Sequence, residues 1–337
     1  MHFRPFGKSG WKVSEISLGC WQLGADWGDV PEQEANTILK TAVDNGINFF
    51  DTADVYGVGR SETIIGKFLK SRNKSNSQDK NIFVATKIGR FSPPGWPQNF
   101  SLDAMRTHVL ACKKRLQVDC LDLVQLHCIP TDELKKGLVF GHLRTLQKER
   151  HIRFWGASVE TVEEGFLCLQ QEDICSLQII YNIFRQKPEH LITEAKKRNV
   201  AVIVRLPLAS GILSGKFSRA STFPANDHRN YNKDGKHFNV GETFAGLPFP
   251  EAVMLAEQVK AVFNKMESCP AATMPQRALR WILDNPDIST VIPGATKAPQ
   301  INENAFASNL APLSEETHTR VKSFYRGSVE GLIRGPY

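Results

Sequence analysis

Asp51, Tyr56, Lys87 and His127 are the residues whose types and positions could do chemistry together. Asp51 closes the apolar run "INFFD" (47–51), Lys87 closes "IFVATK" (82–87) and His127 closes "LDLVQLH" (121–127). Tyr56 follows Asp51 in the Gly-containing loop "VYGVGRSE". A carboxylate is costly to bury unless it is paired, so Asp51 at the end of a buried run needs a partner from elsewhere in the chain. Lys87 is the expected partner. Tyrosine, with a reference pKa of about 10, is a poor acid at neutral pH, and a nearby ammonium lowers that value. Asp51 is therefore expected to hold Lys87, and Lys87 to lower the pKa of Tyr56. His127 is expected to hydrogen-bond a substrate oxygen or help the proton move. A tyrosine that gives a proton to an oxygen suits carbonyl reduction, in which carbon takes a hydride and oxygen a proton. Taken singly, each residue has a plainer role: Asp51 a turn cap, Lys87 a surface cation, His127 a structural histidine, Tyr56 loop packing. Convergence of all four on one face is what points to a site. Lys87 as a Schiff-base nucleophile is the competing chemistry.

Such convergence needs a scaffold that brings successive strand ends to one place. Eight runs rich in β-formers are present: 15–19, 47–51, 82–87, 121–127, 152–158, 176–182, 200–206 and 288–294. They are nearly continuous in apolar character, as parallel strands buried on both faces require. Capped helical patterns lie between most of them. "PEQEANTILKTAVDNG" runs from Pro31 to Gly46; Ser61 and Ser101 are candidate N-caps of the next two; "PEHLITEAKKRN" (188–199) repeats the pattern. Eight β–α units in one chain predict an α/β fold of the (β/α)8 TIM-barrel type, with catalytic groups at the C-terminal strand ends. A doubly wound sheet is the alternative. It lacks its phosphate-binding fingerprint, because "GVGRSE" has no third glycine. "FRPFGKSGWKVSE" predicts a β-hairpin around Gly7 to Gly10, ahead of the barrel. Residues 212–250 form a long stretch of weak periodicity, which in a compact fold is functional or disordered. No repeat or linker divides the chain, so residues 1–337 are expected to form a single domain.

The bulk composition excludes several classes. A chain 41% hydrophobic and 23% charged is ordinary for a globular protein. No apolar run reaches the roughly 20 residues of a membrane span, and no signal-peptide centre is evident, so a cytoplasmic location without membrane contact is expected. The net charge of +7 includes "KKR" at 113–115 and 196–198, both near predicted helix ends, where cations complement the helix dipole. No basic patch interleaved with aromatics is present, so nucleic acid is not an expected partner. The seven cysteines are scattered at 20, 112, 120, 128, 168, 175 and 269 without a C-x-x-C, which predicts reduced thiols and no metal site.

With these residues in view, the chain resembles the aldo-keto reductase family. "GINFFDTADVYGVGRSETIIG" resembles the signature around the family's aspartate and tyrosine, "VATKIG" its lysine segment and "LDLVQLH" its histidine segment. The resemblance implies a (β/α)8 barrel, a nicotinamide cofactor bound without a Rossmann fold, and an Asp51–Tyr56–Lys87–His127 tetrad with Tyr56 as proton donor. "GASV" resembles the stretch whose serine, here Ser158, touches the nicotinamide carboxamide, and "SLQIIYN" gives Gln178. "RLPLASGILSGKF" resembles the pyrophosphate segment and gives Pro207, Leu208, Ala209, Ser210 and Lys216. Many members place an aromatic ring on the nicotinamide from the start of that segment; here Arg205 could lie over the ring as a planar cation. "IPGATKAPQINENAFA" resembles the adenosine segment and gives Gly294, Thr296, Gln300, Glu303 and Asn304. Its "PG" and Gln are similar to the potassium-channel β-subunit-like branch. Lys297 could supply the charge that a 2′-phosphate needs, so NADP(H) is expected, with NAD(H) an open alternative. The expected substrate is a small-molecule carbonyl compound or sugar. Trp21 is the candidate substrate contact; Trp27, Trp96 and Tyr231 could join it in lining an apolar mouth. The alternative function is a cofactor-binding regulatory or interaction subunit with little turnover.

Overall fold

The computed structural model describes residues 1–25, 30–73, 82–266 and 272–337; Trp27 and Cys269 lie outside these. Eight parallel strands follow one another in chain order around a sheet. The first pair of strands lies outside it: β1 (Phe3–Pro5) and β2 (Lys12–Ser14) form the expected hairpin, in register Phe3 to Ser14. The barrel strands are β3 (Leu18–Gly19), β4 (Phe49–Asp51), β5 (Phe83–Ile88), β6 (Leu121–His127), β7 (Ile152–Ser158), β8 (Ser176–Ile180), β9 (Ala201–Arg205) and β10 (Thr290–Val291). Parallel bridges from Ile16 to Val291 and from Gly19 to Gly294 join the two ends of the sheet and close it. All eight expected runs are thus strands of a (β/α)8 barrel. At the seam Ser17 N donates to the Val291 carbonyl and Val291 N to the Glu15 carbonyl, and buried hydroxyls join these backbone bonds: Thr290 Oγ1 donates to the Ser14 carbonyl at 2.8 Å and lies 2.7 Å from Ser17 Oγ.

The hairpin does more than precede the barrel, because it plugs the bottom. Phe6 packs on Phe49, and Trp11 stacks on Phe83 with ring centroids 4.3 Å apart and meets Phe154 edge-on. These partners come from the starts of β4, β5 and β7. Gly7 turns with φ +50° so close to the strands that a Cβ would fall 2.7 Å from the backbone of Cys175 and Ala201. The opposite end is left for chemistry.

Helices cover the outside. Ser101 caps the helix Leu102–Leu116 as expected, accepting from Ala104 N. Ser61 does not cap: the helix begins at Arg60, and the Ser61 hydroxyl turns inward to donate to the Cys20 carbonyl at 2.8 Å. Both basic triplets fall at helix ends. No helix of the described residues is long and apolar enough to cross a membrane. The six described cysteines are free, five of them buried.

Residues 212–250 are organised by short polar side chains rather than by periodicity. Asp227 caps the turn His228–Tyr231 and Asn239 caps Val240–Glu242, while Asn232 Oδ1 accepts from the amides of His237 and Phe238. Such local side-chain bonds stand in for a ladder. They hold this stretch at the barrel mouth, where Arg229 and Glu242 reach the site.

Candidate active site

Asp51, Lys87 and His127, from three neighbouring strands, meet at the C-terminal mouth. Lys87 Nζ donates to Asp51 Oδ1, to the Thr52 carbonyl at 2.9 Å and to the Tyr56 hydroxyl at 3.2 Å. The other Asp51 oxygen accepts from Gln178 Nε2 at 2.7 Å and Gln125 Nε2 at 3.1 Å. The buried carboxylate is therefore fully partnered. Gln125 is a residue that sequence reasoning missed. Its signal was a polar side chain two positions before His127 in an apolar strand, hence on the same face.

Tyr56 is fixed by its loop. Trp21 stacks on its ring with centroids 5.7 Å apart, and His127 meets it edge-on at 5.8 Å. Gly57, at φ +59°, lies against Gly24, where a Cβ would come within 2.3 Å of the Gly24 carbonyl oxygen. Thr52 Oγ1 donates to Ser61 Oγ, tying the loop to the following helix.

The electrostatics correct one expectation. Burial raises the Tyr56 pKa more than the Lys87 ammonium lowers it, and the Asp51 and Glu242 charges add to the rise, so the phenol is pushed up to about 12. Tyr56 is thus held protonated, with the Lys87 ammonium beside its oxygen. Burial opposes the Lys87 charge too, but Asp51 and Tyr56 outweigh it and hold the ammonium above its ordinary pKa. Burial, with Arg90, Lys87 and Arg205 adding to it, drives His127 well below the usual histidine range, so its imidazole is neutral at pH 7. Its Nδ1 makes no hydrogen bond among the described residues.

An inner cavity of about 360 Å³ opens from this centre. Ser158, Gln178 and Arg205 line it beside Asp51, Tyr56 and His127. Pro207, Leu208, Ser210 and Lys216 form one wall and Gly294, Thr296 and Gln300 another. Ala209 is buried behind the first wall. Lys297 is exposed just before the helix Ala298–Phe306, Glu303 faces Lys216 Nζ at 3.9 Å, and Asn304 is buried within that helix; none of these four reaches the cavity surface. The cavity suits an extended anionic cofactor. Lys216 and Arg229 supply positive charge along it, and Ser210, Gly211 and Gly215 turn with φ of 56°, 90° and 66° to shape the wall. Gln22 Oε1 is buried without a partner among the described residues, and a Cβ on Gly294 would fall 2.1 Å from that same amide. Gln22 and Arg229 were missed in sequence; neither carries a periodic or motif signal.

An outer cavity, larger and open, shares Trp21, Tyr56 and His127 with the inner one. Trp96 and Tyr231 line it, as expected of the mouth. Its polar wall was not expected. Arg90 NH2 donates to Glu160 Oε1 at 2.9 Å, and Glu242 Oε1 lies 3.4 Å from Arg205 and 3.9 Å from Arg90. Arg90 and Glu160 lie just past β5 and β7, the strands that carry Lys87 and Ser158. Glu242 lies in the aperiodic stretch, which gave no signal for it. Burial favours a neutral Glu242, but Arg205 and Arg90 hold its pKa below the ordinary value. Cys128, Glu160 and Glu242 bring potential metal-ligand atoms within 4.8 Å of one another. The two guanidiniums contacting those groups oppose a divalent cation there.

Comparison with known proteins agrees with this geometry. The chain is 28% identical to the "Uncharacterized oxidoreductase YqkF" of Bacillus subtilis over 94% of both chains. It is 29% identical to a "Probable voltage-gated potassium channel subunit beta" of Arabidopsis thaliana over 93% of both. Its fold superposes on the holo form of the aldo-keto reductase AKR11C1 from Bacillus halodurans with a TM-score of 0.74, at 27% identity and 96% coverage of each chain. Members of this family are oxidoreductases that use nicotinamide cofactors on small carbonyl substrates. The model of the Aldo/keto reductase family matches residues 15–326, and the chain belongs to that family.

Proposed function

We propose that this chain is an NADP(H)-dependent oxidoreductase that reduces aldehydes or ketones to alcohols, or runs the reverse, with Tyr56 as the proton donor. The observation that carries the proposal is the Lys87–Tyr56 contact of 3.2 Å in a cavity that also presents His127. Ser158, Gln178 and Arg205 hold the nicotinamide end, Lys216 the diphosphate, and Thr296 and Gln300, with Lys297 and Asn304 nearby, the adenosine end. When bound, the reduced nicotinamide supplies the hydride to the carbonyl carbon. The chain's own residues do the rest. Neutral His127 hydrogen-bonds and orients the carbonyl oxygen. Tyr56 passes its proton to that oxygen, and the Lys87 ammonium, fixed by Asp51, stabilises the phenolate. The exposed Lys297, just before the helix Ala298–Phe306, is the residue we assign to a 2′-phosphate, which supports NADP(H) over NAD(H). A Schiff-base role for Lys87 requires a neutral amine, whereas Asp51 holds it as the ammonium. The free thiols suit the reducing cytoplasm, where we place the enzyme, acting as one domain.

The test follows the absorbance of reduced nicotinamide with NADPH and NADH in parallel and a panel of aldehydes, ketones and sugars. Wild type should turn over, with Tyr56→Phe slower by about 10²- to 10⁴-fold, the range for a lost general acid. Cofactor binding without turnover in either direction would sink the proposal and favour a regulatory subunit.

A further inference from the structure

We infer that Gln125 is a positioning residue: its amide keeps hold of the Asp51 carboxylate and so frees Gln178 to turn to the nicotinamide. This deepens the carbonyl-reductase proposal and rests on it. Strand register sets Gln125 beside Lys87 on β5 and beside Gly156 on β7, where no side chain competes for the space. From there its amide reaches the catalytic groups. Gln125 Nε2 and Gln178 Nε2 both donate to Asp51 Oδ2, at 3.1 and 2.7 Å, while Oδ1 accepts from Lys87. The two glutamines are not equivalent. Gln178 lines the inner cavity beside Ser158, whose hydroxyl donates to Gln178 Oε1 at 3.4 Å. Gln125 is fully buried and does not line that cavity. Of the two, only Gln178 can meet a bound nicotinamide.

A polar side chain at this place is costly. Gln125 Oε1 is buried with no donor among the described residues. Turning the amide over would not relieve it, because a carboxylate only accepts and the Nε2 end alone donates. An apolar side chain of equal length would leave no such orphan, and the neighbours Leu123, Val124 and Leu126 on the same strand are apolar. A local rule broken in a core points to a functional demand. Asp51 supplies that demand. In the free site two amides hold Oδ2. When Gln178 turns to the cofactor, Gln125 alone keeps that oxygen in place. Hydrogen bonds to a buried charge are among the strong ones, so losing the last amide costs more than losing one of two. A fixed carboxylate in turn keeps Lys87 aimed at the Tyr56 hydroxyl.

The experiment is a double-mutant cycle on NADPH affinity, read with the full chain from the fluorescence of the bound reduced nicotinamide. Gln125→Met keeps the length of the side chain and removes the amide. In the wild-type background it should raise the NADPH Kd by about tenfold or more, because Gln178 must then leave Asp51 Oδ2 bare. With Gln178→Met already present, the same change should alter Kd by less than about twofold. A merely structural Gln125 would raise Kd alike in both backgrounds. That result would overturn the inference, as would no effect in either background. A crystal structure of the wild-type chain with NADP+ decides the matter even if a variant does not fold. Gln125 Nε2 should stay within about 3.2 Å of Asp51 Oδ2, and Gln178 Nε2 should lie beyond about 3.5 Å from it. Gln178 still bonded to Asp51 there, or Gln125 released from it, would overturn the inference. All of these outcomes leave the reductase proposal standing. Absence of both NADPH binding and turnover in wild type would instead overturn that proposal and the inference with it.

Discussion

At the scale of the residue, the site keeps a proton on the Tyr56 oxygen. Lys87 makes three contacts, to Asp51, the Thr52 carbonyl and Tyr56, so its ammonium cannot swing away from the phenol. Burial alone would push a phenol upward, and Lys87 offsets only part of that rise. The sign of the pH dependence follows. With Tyr56 ionising at about 12, the donor form persists across the neutral and alkaline range, so the reduction rate should stay flat from pH 7 to 10 as far as Tyr56 governs it. Alcohol oxidation needs the phenolate as base, whose fraction grows tenfold per pH unit below the pKa. Its kcat/KM should climb about tenfold per unit over the same window. Steady-state profiles in both directions check this. A reduction rate that fell away between pH 8 and 9 would show that Lys87 dominates after all.

At the scale of the element, the stretch 228–246 joins the two cavities, and its weak point is a histidine. His228 is buried against Trp21, with ring centroids 4.8 Å apart, and its pKa is depressed to about 4. Burial is the main cause; Asp227 opposes it and Arg229 adds to it. Unfolded, the same histidine titrates at about 6.5. Between those two values the unfolded chain binds the extra proton and the folded one does not, so stability is present above pH 6.5 and falls as pH drops toward 4. The loss from this group amounts to about 3 kcal/mol. Urea titrations at pH 7 and pH 4.5 should show it, and His228→Gln should flatten the difference. The elements themselves were legible in unequal measure. The eight strands could be read because parallel strands buried on both faces leave continuous apolar runs. Ser61 misled because a serine beside a glutamate ahead of apolar residues imitates a cap; its inward bond to Cys20 is a tertiary fact. Of the four proposed catalytic residues, Asp51, Lys87 and His127 stand at or next to strand ends and Tyr56 in the loop after one, so they could be found. Glu242 could not, since its partners Arg90 and Arg205 are distant in sequence and its segment has no period.

At the scale of the whole molecule, a barrel plugged at its base by the hairpin leaves one end for ligands, and ligand binding must therefore add to the stability of the closed barrel. The inner cavity is bounded by β3, β4, β6 to β9 and the segments after β9 and β10, so a cofactor there bridges parts of the chain far apart in sequence. A ligand that binds only the folded state stabilises it by about 2.7 kcal/mol at a hundredfold excess over its Kd. In a chain of this size each kcal/mol is worth about 2 °C in Tm, so the melting temperature should rise by several degrees. The comparison that matters is between NADPH and NADH at equal concentration. Lys297 is an exposed cation beside the segment proposed to hold the adenosine, and Gln300, which accepts from the amides of Thr296 and Lys297, fixes the turn that presents it. If Lys297 meets the 2′-phosphate, NADPH should raise Tm more than NADH, and Lys297→Ala should remove most of that difference while leaving the NADH shift in place. Equal shifts in wild type would mean that the adenosine end does not distinguish the two cofactors. A larger NADPH shift that survived Lys297→Ala would move the recognition of the phosphate to another residue of the same wall.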